Sequence, residues 1–306
     1  MALGLVLIVA LITSAVGYDR YAESQLLTAY PAPGQFVQLA GARMHYRCEG
    51  SGEPTLVFAA GIGGGALDWS QVMPALSQRN RVCAFDRLGQ DWSDPAPQPR
   101  LFSTAADELH AALGSLGIVE PVLVGHSLGG ALAQLYAARY PVAGVILVDG
   151  LTADVAEPVV ARLGGYQSLD GLARLGLLRP IGGLFAHPAY PQELRDQMVA
   201  LRSGSAALLR LTEEGALAAQ DVPAELRAAE QRLTMPLLVI AAGECDVPGL
   251  PNDAFQAAAA AFAQRHPQAE FVLIPGAPHY VQATHPEQVS ATIQRWLANS
   301  RSAVRP

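Results

Sequence analysis

Val122-Leu-Val-Gly-His-Ser-Leu-Gly-Gly-Ala-Leu-Ala-Gln-Leu-Tyr136 joins an apolar strand pattern to a helical one through a glycine-flanked serine. Val122 to Val124 is a brief β-branched run, and from Leu128 alanine and leucine recur at helical spacing until Pro141 closes the pattern. Strand, sharp turn and helix follow one another directly. The turn, Gly125-His-Ser-Leu-Gly129, carries the G-x-S-x-G pattern in the strand-to-helix setting that gives the pattern its meaning. A serine hydroxyl is a weak nucleophile at neutral pH, so it needs exposure, a nearby base and the positive end of a helix. Glycines two residues before and two after remove Cβ atoms that would crowd so tight a turn. Ser127 is therefore the candidate nucleophile.

The base must come from elsewhere in the chain. Seven histidines compete: His45, His110, His126, His187, His266, His279 and His285. His279 lies in Pro275-Gly-Ala-Pro-His-Tyr280, between the last strand pattern and the terminal helix, where side chains reach the carboxyl ends of the strands. His285 sits just before Pro286, where capping or solvation accounts for it. His126 is inside the turn, where its side chain packs or hydrogen-bonds aside. For the acid that orients the histidine, Asp246 in Gly243-Glu-Cys-Asp-Val-Pro248 is chosen, since its loop follows an apolar strand. Asp149 in Val148-Asp-Gly150 is the main competitor, and Glu244 follows. The order Ser127, Asp246, His279 along the chain differs from the two well-known protease orders. Two backbone N–H groups must face the oxyanion, and those of Leu128 and Ile62, in Gly61-Ile-Gly-Gly-Gly65, are expected. That glycine run lacks the G-K-[ST] ending and the dinucleotide spacing, which discounts a nucleotide site.

On either side of this stretch, from Gln35 onward, short apolar runs alternate with helical patterns, the signature of one largely parallel sheet with helices on its faces. Strands are expected at Phe36 to Leu39, Met44 to Cys48, Thr55 to Ala59, Arg81 to Phe85, Gly144 to Val148, Pro236 to Ala241 and Phe271 to Ile274. Asp68 is expected to cap a helix running to about Ser77, Thr104 to cap the next, and Pro286 to Asn299 to form the last. Residues 151–234 hold helical stretches at Ala153 to Arg162, Gln192 to Leu201 and Ala224 to Leu233 but no convincing strand, and read as an inserted helical cap. The core then comprises residues 31–150 and 235–299.

Ala2 to Gly17 is uncharged and apolar, reaching about 24 Å as a helix, at the short end of a membrane span. Residues 1–18 read as a signal or membrane-anchor segment, so the chain is expected to be exported or anchored, with a packed helix of a cytoplasmic protein as the alternative. A net charge of −7 without any basic run argues against nucleic acid and anionic surfaces as partners. The cysteines Cys48, Cys83 and Cys245 lack metal-ligand spacing.

At these residues the sequence resembles the α/β-hydrolase fold family, from about Pro31 to Asn299 apart from the cap. Gly61-Ile-Gly-Gly-Gly-Ala-Leu-Asp-Trp69 looks like the family's oxyanion loop, Asp86-Arg-Leu-Gly89 and Ser93-Asp-Pro95 like its strand-four turn, and Gly125 to Gly129 like its nucleophile elbow. The resemblance implies an α/β fold with an eight-stranded, mostly parallel sheet whose second strand is antiparallel, the cap after strand six and the acid after strand seven. It also makes the strands of Cys48 and Cys83 neighbours, which an oxidising compartment could join. Two positions depart from the pattern: Ala60 replaces a usual histidine and Asp91 a common glycine. The implied activity is hydrolysis of a small-molecule ester or thioester through an acyl-enzyme, with neither metal nor cofactor, and the leucine- and alanine-rich cap suggests that the substrate is apolar. A peptidase or acyltransferase on the same residues, and a non-catalytic binding module, are the rivals.

Overall fold

The computed structural model describes residues 2–98, 100–244, 246–247, 250–251 and 253–303. Eight strands form one sheet: β1 Gln35–Leu39, β2 Ala42–Glu49, β3 Leu56–Ala59, β4 Val82–Phe85, β5 Val122–His126, β6 Gly144–Val148, β7 Leu237–Ala242 and β8 Ala269–Ile274. Their order is β1-β2-β4-β3-β5-β6-β7-β8. β2 runs antiparallel to both neighbours and every later pairing is parallel. This is the α/β-hydrolase architecture that the resemblance implies.

The strand residues divide between two faces with the two-residue period of a pleated strand. Val57, Leu123, Val145, Leu147 and Val239 pack with helices Thr104–Ser115, Leu128–Ala137 and Ala254–Arg265. Phe58, Val124, Ile146, Val148 and Ile240 pack on the other side with Trp69, Met73, Ile293 and Trp296. Burial on both faces explains why β3 to β7 read as unbroken apolar runs. Cys48 and Cys83 are directly opposite in the β2–β4 register and are joined by a disulfide, with a Cα–Cα distance of 4.1 Å.

Between β6 and β7 the described chain is helical, with main helices Ala153–Gly165, Gln192–Arg202 and Ser205–Glu230. The last begins nineteen residues before the expected Ala224 and runs through Gly215 and Pro223. Gly215 is there for packing: a Cβ would lie 2.5 Å from the Leu163 carbonyl oxygen. Asp68 does not open a helix reaching Ser77; it lies in a 3-10 turn, Ala66–Trp69, followed by a separate turn, Met73–Leu76. The N-terminal helix spans Ala2–Ala29, past the expected boundary at residue 18, because its polar second half is held against the helical insert. Asp19 accepts from Arg179 Nε at 2.7 Å and from the Ser205 hydroxyl, and Glu23 accepts from the Ala206 amide at 2.9 Å.

Candidate active site

β5 delivers the chain into Ser127 at φ 50°, ψ −122°, a left-handed conformation that costs a non-glycine residue about 1–3 kcal/mol and persists only when its surroundings dictate it. The surroundings here are close. A Cβ on Gly125 would lie 2.3 Å from the Gly129 carbonyl oxygen, and one on Gly129 would lie 2.2 Å from that of Ala59. The Ser127 carbonyl accepts from the Gly130 and Leu151 amides at 2.8 and 2.9 Å, which fixes the turn from within and from beyond β6. The side chain faces a cavity of about 180 Å3 shared with Gly61, Ile62, Phe255 and His279. The structure thus gathers the predicted serine, histidine and glycine loop around one space.

The acid is where the structure departs from expectation. His279 Nδ1 lies 2.6 Å from Asp149 Oδ2, not from Asp246. Asp149, only 1% exposed, sits at φ 44° just past β6, and its other oxygen accepts from the Ala242 amide at 3.0 Å at the end of β7. Asp246 is exposed and accepts the backbone N–H of His279 at 2.8 Å. Both aspartates therefore hold His279, one through its ring and one through its main chain. A carboxylate can only accept, so Nδ1 carries the proton and Nε2 presents a lone pair. The sequence signal for Asp149 was present, since it follows a buried strand as Asp246 does. What it could not convey is that a left-handed turn, tolerated by aspartate, would carry this carboxylate across the end of β7.

His126 is separated from this chemistry. Its Nε2 donates to the His279 carbonyl at 2.9 Å, and burial first, then the neighbouring His279, pushes its pKa down to about 3. It is a neutral structural ring that ties the serine turn to the histidine loop.

The glycine loop distributes its amides unevenly. Gly63 N–H donates to Glu214 Oε2 at 2.9 Å, Gly64 to the Gly61 carbonyl at 3.2 Å, Gly65 to Asp68 Oδ2 at 2.9 Å and Ala66 to Asp86 Oδ1 at 2.6 Å. Among the described residues, the amides of Ile62 and Leu128 have no protein acceptor. Those are the two donors expected for an oxyanion.

Two links from the helical insert hold this loop, and neither was foreseen. Glu214 bonds Arg87 through Nε at 2.7 Å, while Arg87 donates to the carbonyls of Ala60 and Gly61 at 2.6 and 2.7 Å. Arg202 bridges Asp68 and Asp91, each at 2.7 Å from Nη2. The two departures from the family pattern acquire roles here: Ala60 supplies only its carbonyl, and Asp91, at φ 36°, anchors Arg202. Since displacement of a positioned group by about 1 Å can cost about 10²-fold, Glu214→Gln is expected to lower kcat by about 10-fold to 10²-fold with little change in KM. Steady-state kinetics of the variant check this.

Burial, opposed by Arg202, raises the Asp91 carboxyl to about 6. A carboxyl whose pKa is higher folded than unfolded holds its proton more tightly when folded. Its stabilising contribution is present below about pH 4 and is lost as the pH rises through about 6. Asp91→Asn should therefore flatten the fall of the denaturant midpoint between about pH 4 and about pH 7, read from unfolding curves of both proteins.

This fold and this arrangement of serine, histidine and carboxylate define a hydrolase of the α/β type. The chain belongs to the alpha/beta hydrolase family, which matches residues 56–292. It is 34% identical over 217 residues to the protein named "Putative carbamate hydrolase RutD" of Stutzerimonas stutzeri (strain A1501), covering 65% of this chain and 77% of that one. It is 39% identical over 115 residues to the (Lyso)-N-acylphosphatidylethanolamine lipase of Bos taurus, covering 35% of this chain and 34% of the lipase. The chain thus spans about a third of the lipase and about three quarters of RutD. The enol-lactonase from Burkholderia xenovorans LB400 shares the fold, with a TM-score of 0.68 at 20% identity over 86% of this chain and all of that one.

Proposed function

We propose that the chain is a serine esterase in which Ser127 is the nucleophile, His279 the general base and Asp149 the orienting acid. The observation that carries this reading is the Asp149–His279 contact of 2.6 Å beside a serine held in a strained turn. His279 Nε2 takes the Ser127 proton as Oγ attacks the acyl carbonyl. The tetrahedral oxyanion is met by the Ile62 and Leu128 amides. The alcohol leaves with the proton from His279, and water, deprotonated by the same ring, releases the acid and restores the serine.

The acyl group has an apolar place to lie. The cavity at Ser127 adjoins a second, of about 490 Å3, with which it shares Gly61, Ile62, Tyr166 and Tyr280. Leu169, Leu178, Ile181, Leu184, Leu208 and Leu211, all from the insert, line the second, so we read the insert as a cap that selects apolar esters. The apolar N-terminal helix and the Cys48–Cys83 disulfide support a chain anchored to a membrane and facing an oxidising compartment.

Matched p-nitrophenyl esters and p-nitroanilides of two to twelve carbons, with a carbamate included because of the likeness to RutD, test the reaction class. Ester kcat/KM should exceed that of the matched anilide by at least about 10²-fold and rise with chain length. Anilides turning over as fast as esters would move the reading to an amidase.

A further inference from the structure

The cap segment that carries Leu178, Ile181 and Leu184 of the outer cavity also touches the apolar N-terminal helix, at Gly176 and Arg179. Residues 3–14 of the helix stand largely free of the body, with Leu3, Leu5, Leu7 and Leu11 all more than 60% exposed. Among the described residues this is the one helix long and apolar enough to cross a membrane. It meets the body at Gly176, where a Cβ would lie 3.0 Å from the Ala15 carbonyl oxygen and 2.9 Å from Asp19 Cβ. The cap segment around Gly176 carries exposed Leu172 (45%), Ile181 (46%) and Leu184 (80%), and the last two line the outer cavity.

The helix marks a level as well as a place. Its uncharged run ends at Gly17, and Tyr18 and Tyr21 are exposed immediately beyond it, as is Arg20. Tyrosine and arginine favour the headgroup zone of a bilayer. The Asp19–Arg179 ion pair fixes the cap segment to this same stretch of helix. Leu172, Ile181 and Leu184 are thereby brought to the depth at which the helix would leave the hydrocarbon.

We propose that cap residues 169–184 and the outer half of the N-terminal helix form one bilayer-seated surface, and that acyl lipids pass from the membrane directly through this segment into the outer cavity. The occupant of the exposed leucines is the acyl region of the bilayer. The substrate class is a membrane-resident lipid ester whose apolar chain remains in the cap while its carbonyl reaches Ser127. The substrate part rests on the serine-esterase reading; the seating of the surface does not.

The test uses the full chain in phosphatidylcholine vesicles containing brominated acyl chains, with Leu172→Trp as the probe. The native Trp69, Trp92 and Trp296 are buried and provide a constant background. Val119→Trp is the control: Val119 is 78% exposed but precedes β5, at the end of the sheet opposite the cap. Emission from Leu172→Trp should be quenched at least twofold more than that from Val119→Trp. Equal quenching would overturn the proposal, as would emission that is blue-shifted but unquenched, which would mean that a second copy covers the leucines. A second arm compares Leu172→Glu with wild type. Hydrolysis of soluble p-nitrophenyl butyrate should stay within twofold, while hydrolysis of a long-chain monoacylglycerol held in vesicles should fall at least tenfold. Equal loss on both substrates would overturn membrane delivery. Absence of wild-type activity on the soluble ester would instead count against the esterase reading and leave the quenching result to decide the surface.

Discussion

Ser127→Ala is expected to lower kcat on a soluble ester by about 10⁶-fold while leaving the circular dichroism spectrum and Tm unchanged. Neither histidine that lines the cavity can take over the attack. His126 is neutral and spends its Nε2 hydrogen on the His279 carbonyl, and His279 is committed to Asp149 through Nδ1. The residual rate would come from the amides of Ile62 and Leu128 acting on water attack. Folding should survive, because the strained turn is imposed by the close approaches at Gly125 and Gly129 rather than by the serine hydroxyl. A loss of less than tenfold would remove Ser127 from the mechanism.

The second large effect separates the two aspartates. Asp149→Asn is expected to reduce kcat by about 10⁴-fold, because an amide can offer a hydrogen to Nδ1 and trap the ring in the tautomer whose Nε2 carries the proton. Asp246→Asn should cost less than about tenfold, since its remaining amide oxygen can still accept the His279 main-chain N–H. Steady-state kcat for both variants across pH decides between them. The reverse ranking would return the acid to the loop after β7 and make the Asp149 contact structural.

Much of the fold was legible because it follows from local pattern. β6 was read at its observed bounds, Gly144–Val148, since a buried parallel strand writes itself as a short β-branched and aliphatic run. The Ser127 turn announced itself by two glycines with no room for a Cβ, and His279 by its place after the last strand. Contacts between distant residues were not legible. Glu214 meets the Gly63 amide across 151 residues, and Arg202 meets Asp68 across 134, and nothing near either residue in sequence distinguishes it from a solvated helix charge. The Asp149–His279 contact was hidden for a related reason: Asp149 and Asp246 both follow buried strands, and only the turn geometry past β6 says which carboxylate faces the ring. The first nineteen residues of the Ser205–Glu230 helix were not legible, because they include Gly215 and Pro223, both poor helix formers, and packing on the Ala153–Gly165 helix outweighs that local tendency.

Covalent labelling with a fluorophosphonate, followed by peptide mass mapping of wild type and Ser127→Ala, reports an activated serine without requiring the natural substrate. One modified peptide is expected, carrying the phosphonyl group on Ser127, and no modification in the variant. Folded wild-type protein that stays unlabelled, or that is labelled at another serine, would contradict Ser127 as the nucleophile.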